Sequence, residues 1–168
     1  MPVIESLLNP TDADFARNCA AMQASIDGFR AVERGVLDKA RQAKARFEKR
    51  GQLLPRERLG LLLDAGAPFI ELCPLAGYKL HDDKDGTLAG GGLIAGIGHV
   101  SGVRCLVIAN NSAIKGGTIS PSGLKKSLRL QQIAAENKLP VITLAESGGA
   151  NLAYAADIFI EGARTFAN

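Results

Sequence analysis

A chain of 168 residues is long enough to bury the core of one domain but leaves no room for a second full domain. With 46% hydrophobic and 22% charged residues it has the composition of a globular protein rather than a disordered or fibrous one. A formal net charge of +3 is too small to indicate a nucleic-acid partner, and no apolar run reaches the length of about 18 residues typical of a transmembrane helix.

The chain begins with MPVIESLLNPTDADF, which lacks the basic start and long apolar run of a secretory signal and is too acidic for a transit peptide. The expected location is therefore the cytoplasm, with no membrane contact. The three cysteines are far apart and form no C-x-x-C pair, so the sequence indicates neither a zinc site nor a disulfide framework. We expect reduced, mostly buried thiols and no bound metal.

Residues 1–50 are predicted to form a helical arm. Within this arm, apolar side chains recur at spacings of three and four, the period of an amphipathic helix or helix pair. Thr11 or Asp12 is expected to cap its start, while Gly28 and Gly35 are possible breaks. A long arm with a narrow apolar stripe packs either on its own domain or on a neighbouring subunit, and both alternatives stay open.

Residues 51–168 alternate helical and strand-like segments, which predicts a layered α/β domain. The predicted elements are a helix from Pro55 to Gly66, a short strand in APFIELC, two strands in residues 92–109 joined by a turn at Ser101-Gly102, a helix from about Leu124 to Asn137, a buried strand VITLA, and a last helix after ESGGAN.

Two motifs in this region fail on inspection. HDDKDG is similar to the front half of a calcium-binding loop, but the twelfth position, counted from His81, is Gly92 where a glutamate is required. We therefore predict a solvated polar loop. GIGHVSG is similar to a dinucleotide fingerprint, but Ser101 stands in the third glycine position and an apolar strand follows instead of a helix.

Two glycine-rich turns remain, KGGT at 115–118 and SGGA at 147–150. Each follows an apolar run and leads toward a helix, and exposed backbone N–H groups at a helix start attract negative charge. Chain reversal alone would explain either turn, but their joint placement around one βα unit favours an anion site. Further cations on the same unit suit phosphates or a solvated helix face: Lys125, Lys126 and Arg129.

AESGG, around Ser147, is also close to the nucleophile elbow G-x-S-x-G of serine hydrolases. Ala145 replaces the first glycine, and both histidines of the chain, His81 and His99, precede the serine although the elbow's chain order needs a later one. A serine hydrolase is therefore only a minor alternative.

Longer motifs give a resemblance to a known family. LLPRERLGLLLDAGAPFIEL and SAIKGGTISPSGLKKSLRLQQIAAENKLPVITLAESGGANL resemble the carboxyltransferase β subunit of biotin-dependent acyl-CoA carboxylases, from about residue 25 onward. The corner SGGAN is similar to that of the methylcrotonyl-CoA and geranyl-CoA carboxylase branch, whereas the propionyl-CoA branch more often has DSGGAR.

The resemblance implies a crotonase-like fold, a spiral of ββα units, built as two domains in a much longer chain. Residues 51–168 would be the first part of the N-terminal carboxyltransferase domain, preceded by the arm of residues 1–50. The implied cofactor is biotin, carried by a partner α subunit with biotin carboxylase and biotin carrier parts. The resemblance also implies self-association into a β core, a hexamer, with acyl-CoA as substrate.

The same resemblance assigns roles to particular residues. The amides of Gly148 and Gly149 would hold the thioester oxygen of acyl-CoA as it becomes an enolate. Ala150 would line the acyl pocket, and Gly162, where methylcrotonyl-type sequences tend to carry a bulky aromatic, would make room for a longer chain; a simple helix break is the alternative for Gly162. The residues expected to border CoA are Lys115, Gly116, Gly117 and Thr118.

The implied reaction moves CO2 from carboxybiotin to an unsaturated branched acyl-CoA, either geranyl-CoA or 3-methylcrotonyl-CoA. It needs no strong protein base, because the biotin anion can take the substrate proton. Two alternatives stay open: another crotonase-fold acyl-CoA hydratase or hydrolase, and a non-catalytic fragment whose arm docks a partner. If the chain is complete as given, it is expected to be inactive alone.

Overall fold

A helix of 29 residues, α1 (Ala13–Arg41), dominates the first part of the computed structural model, which describes residue 6 and residues 8–167. Asp12 caps it, because its carboxylate accepts the backbone N–H of Asp14 at 3.1 Å. The helix continues through Gly28 and Gly35, so neither glycine breaks it. A glycine inside a helix costs only about 1 kcal/mol, which a helix of this length tolerates.

The two halves of the arm differ in burial. Before residue 30 the apolar side chains of Met22 and Phe29 are exposed. In the second half Val36 and Ala40 are buried, as is Phe47 on the short helix α2 (Lys44–Glu48) that follows. The end of the arm therefore packs with the rest of the described chain, while the domain boundary after residue 50 stays a prediction.

The remaining elements follow the predicted order. They are α3 (Pro55–Leu62), β1 (Ile70–Glu71), β2 (Leu93–Val100), β3 (Val103–Asn110), α4 (Pro121–Glu136), β4 (Val141–Leu144) and α5 (Ala155–Gly162). Helix α4 begins before the predicted Leu124, because the Ser120 hydroxyl accepts the N–H of Gly123 and Pro121 suits the first helical turn. Helix α5 begins at Ala155, well after the glycine corner.

The strands form one sheet in the order β1-β2-β3-β4. The first two pairs are antiparallel, and β3 and β4 are parallel because α4 carries the chain back between them. The β2-β3 hairpin turns at Ser101 and Gly102, whose φ angles of 52° and 77° give the twist that a two-residue hairpin needs. Both turn amides donate to the carboxylate of Asp64 at 2.7 Å. A hairpin followed by a helix is one ββα unit.

Both faces of the sheet are covered. Along β3, Leu106 packs with Leu130 of α4, whereas Val107 faces the opposite way and packs with Leu59 of α3. Fully burying a side chain of this size contributes roughly 1.5 to 3 kcal/mol, so this central strand anchors the loops at its end. None of the helices in the described residues combines the length and apolar character that crossing a membrane requires.

The cysteines only partly follow the expectation. Cys105 is buried on β3, but Cys19 and Cys73 are exposed, so the prediction of mostly buried thiols is wrong. Cys19 lies on the uncovered half of α1, and Cys73 lies in a turn with a positive φ of 48°.

Candidate functional site

The two glycine turns meet beyond the ends of β3 and β4. Ile119, just after KGGT, forms a parallel bridge with Ala150. Its N–H donates to the Gly149 carbonyl at 2.9 Å, and its own carbonyl accepts the N–H of Asn151 at 3.0 Å. The Gly148 N–H donates to the Gly116 carbonyl at 2.9 Å. The turns are therefore held side by side by backbone hydrogen bonds.

Close approach explains why glycine stands at two of these positions. A Cβ atom on Gly117 would lie 2.6 Å from the carbonyl oxygen of Glu146, and one on Gly148 would lie 2.8 Å from the Thr118 hydroxyl. Gly149 differs, because a Cβ there would meet open space while its φ of +89° is one that side chains rarely adopt. Position 148 therefore requires glycine because a side chain would collide with its neighbours, and position 149 requires glycine because of its positive φ angle.

The amides of the corner have protein partners. The Gly148 N–H is used in the contact with Gly116, and the Gly149 N–H donates to the Ser147 hydroxyl at 3.0 Å. These amides do not lie in the first turn of the helix expected after ESGGAN, since the side chain of Asn151 caps a short 3-10 turn and α5 follows only from Ala155. The glycine corner therefore precedes the first helical turn, and its attraction for an anion rests on the backbone amides themselves.

Lys115 is not a free cation. Its ammonium lies 2.7 Å from a carboxylate oxygen of Asp82, and its backbone has a positive φ of 46°. The turn is closed locally, because the Thr118 hydroxyl donates to the Lys115 carbonyl at 2.8 Å. Gly116 faces open space, whereas Gly117 is buried. The predicted role of this turn beside CoA stays a prediction.

Four side chains form what we call the Asp82 cluster: Asp82, Lys115, Asn151 and Tyr154. The carboxylate of Asp82 accepts the Tyr154 hydroxyl at 2.7 Å and the Asn151 amide at 3.2 Å besides the Lys115 ammonium. The hydrogen bonds from Lys115 and then Tyr154 hold the pKa of Asp82 below its ordinary value. The same contact raises the pKa of Tyr154. Asp82 is therefore an ionised hub.

The other carboxylates of the polar loop fold the loop itself. Asp83 is buried and accepts the N–H groups of Lys79 and Leu88, at 3.0 and 2.8 Å. Asp85 accepts the N–H and hydroxyl of Thr87 at 3.1 and 2.8 Å. No group of three metal-binding side chains occurs in the described part of the chain. The loop is therefore ordered by internal hydrogen bonds.

The basic residues of α4 divide into two kinds. Lys126 is buried and donates to the carbonyls of Cys73, Gly90 and Leu93, at 3.1, 3.2 and 2.7 Å. Burial lowers its pKa to about 8. The interpretation of Lys126 as a surface cation is therefore wrong, because Lys126 is buried and joins the backbone that follows β1 to the backbone at the start of β2. Lys125 and Arg129 do line an open groove of about 630 Å³ between α4 and α5.

A cavity of about 460 Å³ opens beside the glycine corner. It is lined by Arg46, Phe47, Arg50, Ser112, Gly116, Glu146, Ser147 and Gly148. The carboxylate of Glu146 is paired with Arg58 at 2.8 Å, so it is already engaged by a cation rather than directed freely into the cavity. Arg46 and Arg50 come from the arm, and sequence reasoning missed them although the segment is visibly basic.

Ser147 has no activating partner among the residues that the structure describes. Its hydroxyl donates to the Gly117 carbonyl at 3.2 Å and accepts the N–H of Gly149. Of the two histidines, His81 packs against Tyr154, with ring centroids 5.0 Å apart, and His99 lies on β2. The geometry is that of a turn-shaping serine rather than a nucleophile.

The two residues predicted to line an acyl pocket lie apart. Ala150 is part of the bridge between the turns. Gly162 ends α5, where a Cβ would lie 4.0 Å from the side chain of Leu124 on α4. Gly162 therefore lies next to Leu124, which lines the α4-α5 groove, and its predicted role in acyl-chain length stays a prediction.

Comparison with known proteins gives a consistent result. Residues 46–167 match the family model described as the carboxyl transferase domain. The chain is 43% identical over 158 residues to a probable mitochondrial methylcrotonoyl-CoA carboxylase beta chain of Drosophila melanogaster, covering 94% of this chain and 27% of that protein. It is 41% identical over 165 residues to a probable biotin-dependent acyl-coenzyme A carboxylase beta2 subunit of Mycobacterium tuberculosis, covering 98% and 30%.

Solved structures agree. The beta subunit of P. aeruginosa geranyl-CoA carboxylase matches with a TM-score of 0.91 and 70% identity, over 99% of this chain and 31% of that one. The transcarboxylase 12S structure matches with a TM-score of 0.72 over 86% of this chain and 29% of that one, and at 18% identity it shows the fold alone. The crotonase-like fold is confirmed. The chain spans between about a quarter and a third of the length of these proteins.

Proposed function

Because this chain belongs to the carboxyl transferase domain family, we propose that the full-length protein moves CO2 from carboxybiotin to an unsaturated branched acyl-CoA. Geranyl-CoA is the preferred substrate in this proposal, and 3-methylcrotonyl-CoA is the second. The observation that carries it is the likeness of nearly the whole chain, in sequence and fold, to the geranyl-CoA carboxylase beta subunit.

The glycine corner would act on the thioester. Removing a proton from acyl-CoA puts negative charge on the thioester oxygen, and a backbone N–H aimed at that oxygen is typically worth about 3 kcal/mol in a dry site. Gly149 suits this role better than Gly148, because its amide is held only by the hydroxyl of Ser147, a weaker acceptor than an oxyanion. Gly148 instead ties the corner to Gly116.

The proton chemistry is consistent with the absence of a free base in the corner. Glu146 is paired with Arg58, and Ser147 has no histidine partner. Biotin, carried by a partner subunit, would supply the CO2 and accept the substrate proton. The residues of this chain would then bind, orient and stabilise the substrate rather than deprotonate it.

The proposal includes an assembly. We expect a partner α subunit with biotin carboxylase and biotin carrier parts, a hexameric core of β subunits, and a cytoplasmic location. Exposed apolar side chains support the burial of further surface in the assembled protein, namely Met22, Phe29, Leu152, Phe159 and Ile160.

Bicarbonate incorporation tests the proposal. The full-length protein and its biotin-bearing partner are incubated with ATP, radiolabelled bicarbonate and geranyl-CoA. We expect acid-stable label in the acyl-CoA, and its loss when avidin blocks biotin. Release of free CoA without incorporated label, equally fast with avidin present, would instead establish the hydrolase alternative.

A further inference from the structure

We propose that Asp82 is a positioning residue of the glycine corner: its carboxylate fixes the two glycine turns and the start of α5 relative to one another. The inference rests on the proposed function, because the corner matters as the place where the thioester is held. It gives a role to the polar loop, which the sequence suggests is merely solvated.

Three separate segments converge on this one carboxylate. Lys115 comes from the first turn, Asn151 directly follows the second, and Tyr154 precedes α5. They are 33, 69 and 72 residues from Asp82 in the chain. Both carboxylate oxygens are used, since one accepts Tyr154 and the other accepts Lys115 and Asn151. A single side chain therefore sets three distances.

The contribution of the cluster is geometric rather than stabilising. The side chains of Asp82 and Lys115 are 41% and 45% exposed, and an ion pair so open to water adds little to the free energy of unfolding. Lys115 nevertheless holds a positive φ of 46°, a conformation that a residue with a side chain keeps only where its surroundings impose it. The Asp82 contact is one such restraint.

A displacement of the Asp82 cluster would move the glycine corner, because backbone hydrogen bonds connect the two. The N–H of Asn151 bonds to Ile119, which in turn bonds to the carbonyl of Gly149. Gly116, next to Lys115, accepts the N–H of Gly148. A misplacement of about 1 Å at a reacting centre can cost up to about a hundredfold in rate, so a modest shift of these turns is measurable.

The same loop offers a matched control. Asp85 also belongs to the polar loop, and its pKa is likewise held below its ordinary value. The main cause is a set of hydrogen bonds from Thr87 within the loop. Asp85→Asn therefore removes a loop charge without touching either glycine turn. Asp82→Asn removes a loop charge and weakens three contacts between segments.

The experiment compares these variants in the full-length enzyme with its biotin-bearing partner. We expect Asp82→Asn to lower kcat for geranyl-CoA carboxylation about tenfold, with the KM for geranyl-CoA and the melting temperature close to wild type. Asp85→Asn should match wild type in all three measurements. Equal kcat values for the two variants would overturn the inference, and so would a loss of kcat that follows a lowered melting temperature.

Lys115→Met distinguishes two roles of Lys115, which are holding Asp82 in place and binding CoA directly. If Lys115 serves only to hold Asp82, the double variant Asp82→Asn/Lys115→Met should be no slower than Asp82→Asn, and KM should not change. A raised KM for geranyl-CoA that adds to the effect of Asp82→Asn would show that Lys115 contacts the ligand. This result would overturn the positioning role of Asp82. An inactive wild-type enzyme would refute the proposed function instead, which separates the two failures.

Discussion

Two neighbouring glycines, Gly148 and Gly149, occupy the corner for different physical reasons. A side chain on Gly148 would collide with Thr118, whereas one on Gly149 would meet open space but not the φ of +89°. The amide of Gly149 is also the more available of the two, since only Ser147 accepts it. Substitutions at Gly149 can therefore separate the loss of an N–H from the loss of conformational freedom.

Gly149→Pro is expected to lower kcat at least about a hundredfold, because proline has no N–H and cannot adopt a positive φ. Acyl-CoA binding should suffer less, so steady-state kinetics should show a much smaller change in KM. Gly149→Ala keeps the N–H and adds only conformational strain, and its kcat should fall between those of wild type and the proline variant. Alanine and proline variants with the same kcat would argue against an amide donor here.

Ser147→Ala should keep most of the carboxylation activity. The hydroxyl bonds only to the backbone of Gly117 and Gly149, so its removal loosens the turn and frees one amide. Steady-state kcat with geranyl-CoA provides the measurement. Near-total loss in a variant that still binds geranyl-CoA would indicate a serine nucleophile.

At the scale of elements, α4 both covers the sheet and fixes the loop that enters it. Leu130 packs in the sheet core, and Lys126, four residues earlier on the same helix, reaches the carbonyls of Gly90 and Leu93. An ammonium buried without a carboxylate in hydrogen-bond contact is unusual, and its three acceptors are all backbone oxygens. The helix thereby sets the path of the glycine-rich stretch before β2.

Lys126→Met is expected to destabilise the protein by about 2 kcal/mol at neutral pH, since buried carbonyls lose a charged donor. Urea denaturation gives the free energy of unfolding, and Lys125→Met, at the exposed neighbouring position, should cost almost nothing. A Lys126→Met variant as stable as Lys125→Met would mean that the three hydrogen bonds contribute nothing net.

The difference in the free energy of unfolding between wild type and Lys126→Met should depend on pH, and the direction of the change can be derived. The pKa of Lys126 falls from 10.5 to about 8 on folding, so between these values the unfolded chain binds more protons. The free energy of unfolding of wild type, relative to Lys126→Met, should therefore rise from about pH 8 to 10.5. A flat difference over that window would show that Lys126 keeps its ordinary pKa, and a falling difference would show that folding raises it.

Gly162, the last residue of helix α5, is the position predicted to influence acyl-chain length. A Cβ at Gly162 would lie 4.0 Å from the side chain of Leu124, which lines the α4-α5 groove, so a phenylalanine at this position would add bulk beside that groove. Gly162→Phe is expected to raise the KM for geranyl-CoA tenfold or more while sparing methylcrotonyl-CoA, because each excluded methylene is worth about 0.8 kcal/mol. Equal losses on both substrates, measured side by side, would identify a folding defect and remove Gly162 as a specificity residue.

The sequence was sufficient for the elements that local signals define. Periodicity located the strands, and Ser101-Gly102 marked the hairpin because two positive φ angles are needed there. The apolar period indicates a start of α4 only at Leu124, whereas the helix begins at Pro121. Ser120 and Pro121 are the residues that signal this earlier start. The helix expected directly after ESGGAN begins as a 3-10 turn over Leu152–Tyr154, so α5 itself starts three residues later than the sequence predicts.

The whole molecule shows what local signals could not provide. The partners of Asp82 lie 33 to 72 residues away, and nothing in HDDKDG marks which of its three aspartates reaches them. Likewise Lys126 and Lys125 are adjacent in sequence, yet one is buried and the other is exposed. Contacts of this kind depend on how α4 and the loop pack on the sheet, so only the folded structure reveals them.

We propose that the full-length protein is an acyl-CoA carboxyltransferase, and the mass of the reacted acyl-CoA distinguishes this activity from hydrolysis and hydration. The protein and its biotin-bearing partner are incubated with ATP, bicarbonate and geranyl-CoA, and the CoA esters are analysed by mass spectrometry. We expect geranyl-CoA to gain the mass of one CO2 and Gly149→Pro to abolish most of this gain. Conversion of geranyl-CoA to free acid or to its hydrate, with no carboxylated product, would contradict this proposal.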